Sequence, residues 1–203
     1  VSIDRNNMDI SKRFDNPLIM PDPIAAQKAS EYLDKCMSEG DSAGGIAECV
    51  IKGVPAGIGE PVFDKLDAVL GMAILSIGAV KGIEFGSGFA VSEMKGSENN
   101  DPFIAENGEV KKLTNNSGGI LGGISDGSDI IFRAAFKPTP SISKKQHTVN
   151  TASENVEIEI KGRHDPIIVP RAIVVVEAMS AIALTDMLFR SLPSQIDKIK
   201  ANY

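Results

Sequence analysis

The residues from Thr114 to Ile142, TNNSGGILGGISDGSDIIFRAAFKPTPSI, decide how the rest of the chain is read. Gly118, Gly119, Gly122, Gly123 and Gly127 fall within ten residues, and an apolar run from Ile130 to Phe136 follows, closing in Lys137-Pro138-Thr139. Glycines at this density let backbone amides approach a ligand closely and adopt positive φ, and a lysine with hydroxyls just downstream is what a phosphate needs. Two readings stand at this point: a site for an anion or a phosphorylated cofactor, and a flexible glycine loop between strands.

The chain has 203 residues, 42% hydrophobic and 24% charged, which is enough for one large or two small domains with a true core. With no Trp and two Tyr, that core must come from aliphatic side chains. A net charge of −6 argues against a general nucleic-acid or anionic-membrane surface, while leaving room for a local basic pocket. Cys36 and Cys49 stand alone without a zinc spacing and read as buried reduced thiols, which fits a reducing cytoplasmic setting. No signal peptide and no run of about 18 apolar residues is visible. The chain starts at Val1 without an initiator Met, in a segment that reads like the middle of something, so the expectation is that an N-terminal part is missing.

Asp22-Pro23 predicts a helix start, with an acidic cap before a first-turn proline, and Gly40 ends that helix. The turn Gly40-Asp41-Ser42-Ala43-Gly44-Gly45 leads into a strand from Ile46, and by itself it reads more as a helix cap and tight turn than as a site. Phe63, Leu66, Leu70, Ala73, Ile74 and Ile77 keep a helical register, and Gly78 can be that helix's terminating glycine. Val80 to Val91 reads as two short strands around Gly86-Ser87-Gly88, and residues 95 to 119 as a long polar surface excursion of the kind that forms lids. Ile130 to Phe136 is a strand, and Ser153 to Lys161 alternates as a half-exposed antiparallel strand, with His147 in a solvated loop between them. Arg171 to Leu192 reads as a buried helix too interrupted to span a bilayer, and the tail from Ser194 as a frayed end.

A second chemical cluster, Gly162-Arg163-His164-Asp165-Pro166, sets a cation, an imidazole and a carboxylate side by side, where only a turn could aim all three at one ligand; a plain charged turn is the competing reading. A G-x-x-x-x-G-K-[ST] loop, a G-x-G-x-x-G fingerprint and a G-x-S-x-G elbow are all missing, which argues against a Walker-type NTPase, a dinucleotide-binding Rossmann domain and an α/β-hydrolase. No metal site is expected.

Taken together and in order, Gly40-Asp-Ser-Ala-Gly-Gly, Gly59-Glu-Pro-Val-Phe-Asp-Lys-Leu-Asp-Ala, Ser76-Ile-Gly-Ala-Val-Lys-Gly, Asn115-Asn-Ser-Gly-Gly-Ile-Leu-Gly-Gly-Ile-Ser, Arg133-Ala-Ala-Phe-Lys-Pro-Thr-Pro-Ser and Gly162-Arg-His-Asp-Pro resemble the chorismate synthase family from about Pro21 to Arg190. The resemblance implies an α+β fold in which helices are sandwiched between antiparallel β-sheets. It also implies a cytoplasmic homotetramer whose flavin sites draw on neighbouring subunits. The implied activity is the 1,4-anti elimination of phosphate from 5-enolpyruvylshikimate 3-phosphate to give chorismate, in the shikimate route to the aromatic amino acids, with reduced FMN required and no net redox change. Whether the flavin is reduced by the enzyme itself, with NADP chemistry, or by an external flavin reductase stays open.

By the same resemblance Gly78, Ala79 and Gly122 correspond to flavin-contacting positions, and Lys137, Pro138, Thr139, Pro140 and Ser141 to the flavin-binding segment. Arg163 matches a flavin-site arginine, and Asp165 is the candidate catalytic residue, assisting proton movement near the flavin. Gly78 stands where many members carry Asn, and Ile167 where many carry Cys, which bears on side-chain contacts at those points. The family's Gly-x-Ser-His-Gly segment has no counterpart here, and neither His147 nor His164 replaces its histidines. The expectation is therefore one domain, or the C-terminal portion of a longer chorismate synthase, inactive alone. A flavin- or phosphate-binding module without catalysis, an inert scaffold and a small-molecule kinase are the competing readings.

Overall fold

Asp22 caps the first helix as its position before Pro23 predicts: its carboxylate accepts the backbone N–H groups of Ile24 at 2.9 Å and Ala25 at 3.1 Å. The computed structural model describes residues 1–162, 164–192 and Lys200. In chain order the elements are α1 (Pro23–Ser38), β1 (Gly45–Ile51), α2 (Leu66–Leu75), β2 (Val80–Phe85), α3 (Gly96–Asn99), β3 (Phe103–Glu106), β4 (Glu109–Lys112), β5 (Ile120–Leu121), β6 (Ile124–Ser125), β7 (Ile130–Phe136), β8 (Gln146–Val149), β9 (Asn155–Ile158) and α4 (Val169–Ser191). The expected frayed tail, Lys200 apart, and Arg163 lie outside the described residues.

Two units form. The first, Val1–Gly45 with Phe136–Ile173, has a small core of Leu33, Cys36 and Ala43 backed by Leu18 and Ile167. Its hairpin pairs β8 with β9 antiparallel, His147 facing Glu157, so this histidine sits on a strand and not in the expected loop. Four residues of regular pairing are enough to recruit a sequence that carries no apolar alternation.

The second unit, Ile46–Ala135 with the chain from Val174, is organised by β7, the middle strand of a three-stranded sheet ordered β1-β7-β2. Ile130, Phe132 and Ala134 are fully buried while Ile131, Arg133 and Ala135 are half-buried, as a central strand requires. The Phe132 ring meets that of Phe85 at 5.7 Å, and Ile130 shares a core with Leu66, Leu70, Ile58, Ile120, Ala183 and Met187. Arg133 ties β7 to β2 through an ion pair with Glu84 at 2.8 Å and a bond to the Gly86 carbonyl at 2.8 Å.

Several expectations change. The second helix begins at Leu66 and leaves Phe63 outside it, 87% exposed. Gly88–Glu93 is a 3-10 turn and not a second strand. The polar excursion carries α3 and the β3–β4 hairpin, whose register Glu106↔Glu109 leaves Asn107-Gly108 as a two-residue turn with φ of 54° and 83°. Helix α4 has 23 residues and is long and apolar enough to cross a membrane by length and composition, against the sequence expectation. Val176, Ala183 and Met187 are nonetheless buried on one side of it, while Val174, Ile182 and Phe189 stay exposed on others.

The glycine-rich stretch divides in two. Gly118, at φ 67°, lies against the Gly86 amide and the Ile131 carbonyl, so that no side chain fits there. Gly122 and Gly123 form the two-residue turn between β5 and β6, both at positive φ, and a side chain on Gly122 would meet open space. Gly118→Ala is expected to lower the unfolding free energy by more than about 2 kcal/mol, combining left-handed strain with backbone overlap, and Gly122→Ala by only about 1 kcal/mol. Paired urea melts check this, and equal losses would refute it.

Candidate functional site

In the first unit the turn from Gly40 to Gly45 gathers the candidate residues. The Ser42 hydroxyl donates to the Thr139 carbonyl at 2.7 Å, and the Ala43 amide donates to the Pro166 carbonyl at 2.7 Å. A side chain on Gly44 would run into the Phe136 carbonyl and the Pro138 ring. This turn, which alone reads as a helix cap, therefore holds the Lys137-to-Ser141 segment on one side and the Asp165-Pro166 corner on the other. Asp41 anchors it: a hydrogen bond from Lys144 at 2.7 Å, then the Ser42 amide, hold its carboxyl below the usual carboxylate range.

The hydroxyl of Thr139 is buried and has no hydrogen-bond partner, a state that asks for a ligand atom or a water. Lys137, Pro138 and Pro140 are exposed beside it and Ser141 is half-buried. A cation and hydroxyls with spare bonding capacity, within one five-residue segment, are a donor set for an anionic group such as a phosphate. Asp165 is engaged differently: its carboxylate accepts Arg171 Nη1 at 2.7 Å. His164 Nε2 lies 3.0 Å from the Ile160 carbonyl and so turns back on its own strand end. Arg163 is outside the described residues.

In the second unit α2 ends at Leu75, and the residue in the left-handed region is Ala79, at φ 70°, not Gly78. Gly78 is thus no terminating glycine. A left-handed alanine costs roughly 1 kcal/mol and persists only where the surroundings dictate it, which marks this corner as a candidate site in its own right. Gly122 lies elsewhere: the next residue, Gly123, accepts the Leu66 amide at 2.7 Å, at the opposite end of α2. Ten helical residues separate the two ends by about 15 Å, so the structure does not bring Gly122 to Ala79 as neighbours.

The amides of Asn116, Ser117 and Gly119 are consumed inside the protein by Asp101 and Asn115, and so are not free for an anion. Asp101, Lys112 and Asp126 form a buried ionic cluster there, with side chains 2%, 3% and 7% exposed. Nothing in the sequence marked those three. Only the Asn107-Gly108 turn, an available hairpin signal, could have shown that the excursion returns to the fold.

A chorismate synthase family model matches residues 2–189. The chorismate synthase of Lachnoclostridium phytofermentans is 65% identical over 189 residues, covering 93% of this chain and 52% of that protein. That of Archaeoglobus fulgidus is 57% identical over 190 residues, covering 91% and 53%. A crystal structure of chorismate synthase superposes with a TM-score of 0.74 at 32% identity, over 90% of this chain and 48% of that one. The chain spans about half the length of the curated relatives it matches. With the family model matching nearly all of its length, the chain belongs to the chorismate synthase family.

Proposed function

We propose that this chain contributes the flavin side of a chorismate synthase, a lyase that eliminates phosphate from 5-enolpyruvylshikimate 3-phosphate. The family match over residues 2–189 supports the reaction class. One observation in the fold carries the cofactor reading: the buried, unpartnered Thr139 hydroxyl in the segment Lys137 to Ser141, which fits a phosphate-bearing ligand.

In this reading Lys137, Thr139 and Ser141 hold the phosphate of FMN, with Pro138 and Pro140 fixing the path of the segment between them. Ala79, Gly78 and Gly122 offer backbone to the ring, and Arg163 adds a cation. Reduced FMN held by these residues would supply electron density for departure of the phosphate ester and for loss of the C6 hydrogen. The proton leaves C6, the C6–H electron pair forms a new carbon–carbon double bond as the existing ring double bond shifts by one position, and the C–O bond to phosphate breaks with its electron pair leaving on phosphate. Asp165 assists that proton's movement, for which its carboxylate must exchange the Arg171 guanidinium it now carries.

The placement of Gly122 and Ala79 at opposite ends of α2 supports a flavin contacted by more than one subunit. So do the exposed apolar side chains of α4, Val174, Ile182 and Phe189, which an assembly would cover. We infer a homotetramer in the cytoplasm, where the free, buried Cys36 and Cys49 stay reduced. The Gly-x-Ser-His-Gly segment that the family resemblance associates with acid–base work is not among these 203 residues. On its own this polypeptide is therefore a flavin-binding partner without turnover.

Fluorescence titration of FMN tests the cofactor assignment. The chain is expected to quench flavin emission on binding, and Thr139→Val or Lys137→Ala to weaken binding at least about tenfold, equivalent to about 1.4 kcal/mol. Affinity unchanged by both substitutions would remove the phosphate assignment. Supplied with 5-enolpyruvylshikimate 3-phosphate and reduced FMN, the 203-residue chain is expected to release no phosphate above background; measurable turnover would overturn the assignment of an inactive partner.

A further inference from the structure

The buried Lys112 ammonium has four oxygens around it: Asp126 Oδ2 at 2.7 Å, Ser117 Oγ at 2.8 Å, Asp101 Oδ2 at 3.1 Å and Asn115 Oδ1 at 3.2 Å. These oxygens belong to three separate stretches of chain. Asp101 follows α3 and also accepts the Thr114 hydroxyl at 2.7 Å, the Asn116 amide at 2.7 Å and the Ser117 amide at 3.0 Å. Asn115 takes the Gly119 amide at 2.8 Å through the same oxygen that faces Lys112, and its own amide donates to the Asp129 carbonyl at 2.8 Å. Asp126 accepts the Ser128 amide at 2.9 Å, and its own amide donates to the Gly119 carbonyl at 3.1 Å.

Gly119 immediately precedes β5 and Asp126 immediately follows β6, so the ammonium holds one foot of the hairpin whose tip is Gly122 directly, at Asp126, and the other through Asn115, whose Oδ1 also takes the Gly119 amide. Burial pushes the Asp101 and Asp126 carboxyls up, but amide and hydroxyl donors on Asp101, and Lys112 with Ser128 on Asp126, outweigh it and leave both below the usual carboxylate range. A cluster that stays ionised and saturated while out of water is rigid, because moving any one member exposes an unpaired charge to a poor solvent.

We propose that Lys112 is the positioning residue of the glycine hairpin: it touches no ligand, and it fixes where Gly122 stands by tying the excursion and both hairpin feet, one of them through Asn115, to one ammonium. The functional consequence rests on the flavin reading of Gly122, while the mechanical part does not. The lysine must reach its four oxygens from β4, which makes the polar excursion the carrier of this tether and assigns it a role other than a mobile lid.

Lys112→Met alone leaves two buried carboxylates unpaired and is liable to unfold. Lys112→Met combined with Asp126→Asn removes one charge of each sign and keeps the formal charge of the cluster unchanged. Amide exchange followed by NMR on the full chain without flavin is the primary measurement. In the double variant the Asn116, Ser117 and Gly119 amides are expected to exchange at least about tenfold faster, with Phe132 and Ala134 in β7 changing by less than about threefold. FMN affinity is then expected to fall by at least about tenfold, since a loosened floor must be ordered on binding. Unchanged loop protection, loss of β7 protection in the same proportion, or failure of the double variant to fold overturns the positioning role. A loosened loop with unchanged FMN affinity overturns its functional half. If the unsubstituted chain binds no FMN, the flavin reading fails and the exchange data alone decide on Lys112.

Discussion

An ammonium has three hydrogens to give and no way to accept, so burying one obliges the chain to deliver oxygens to it from several directions. Lys112 imposes that demand on the second unit, and the fold around it is the answer: a short hairpin to carry the lysine inward, an Asn-Asn-Ser turn wrapped around its tip, and a carboxylate from either side. Such a cluster contributes little to net stability compared with a packed apolar substitute, because desolvating three charges offsets most of the attraction between them. What it contributes is definition. An apolar plug would fill the same space while letting the surrounding loops slide, and a glycine-rich segment has no side chains of its own to resist sliding.

The same contrast separates what could be read in the sequence from what could not. Helix α1 was legible because Asp22-Pro23 acts through neighbouring residues, and β7 because a short apolar run, Ile130 to Phe136, lies between a glycine-rich stretch and a proline. The Lys112 cluster was invisible, since its two carboxylate partners lie eleven and fourteen residues away and an isolated Lys, Asp or Asn looks like solvated surface. The turn at Gly40 was legible only as the cap it is, with Gly40 at φ 67° and the Asp41 amide on the Cys36 carbonyl closing α1. Its contacts reach Thr139 and Pro166, across about half the chain, and local rules for caps and turns contain no information at that range. Gly78 and Ala79 show a subtler failure: glycine is the usual owner of positive φ, yet here the alanine has it.

Family motifs carried information that local chemistry lacked, but they did not carry geometry. Motif order singled out the Lys137-to-Ser141 segment and the Asp165 corner, and both are held by one turn in the first unit. It also named Gly122 and Ala79 for one ligand, and in this chain α2 stands between them. Sequence similarity records which residues serve one ligand, and leaves unstated whether a single copy of the chain presents them all to it.

Cys36 and Cys49 have a use beyond the packing they provide. Each is a free buried thiol, one packed with Leu33 and Ala43 in the first unit, the other beside the Ser180 hydroxyl in the second, where burial pushes its pKa up. A thiol that is shielded, and in the second case also kept protonated, reacts with an alkylating reagent only when its surroundings open. The two therefore serve as separate built-in clocks, reporting how often each unit breathes without any label having to be introduced. Since glycine loops and tethers act by restricting motion, a difference between the two clocks would translate the rigidity of this fold into a pair of measurable rates.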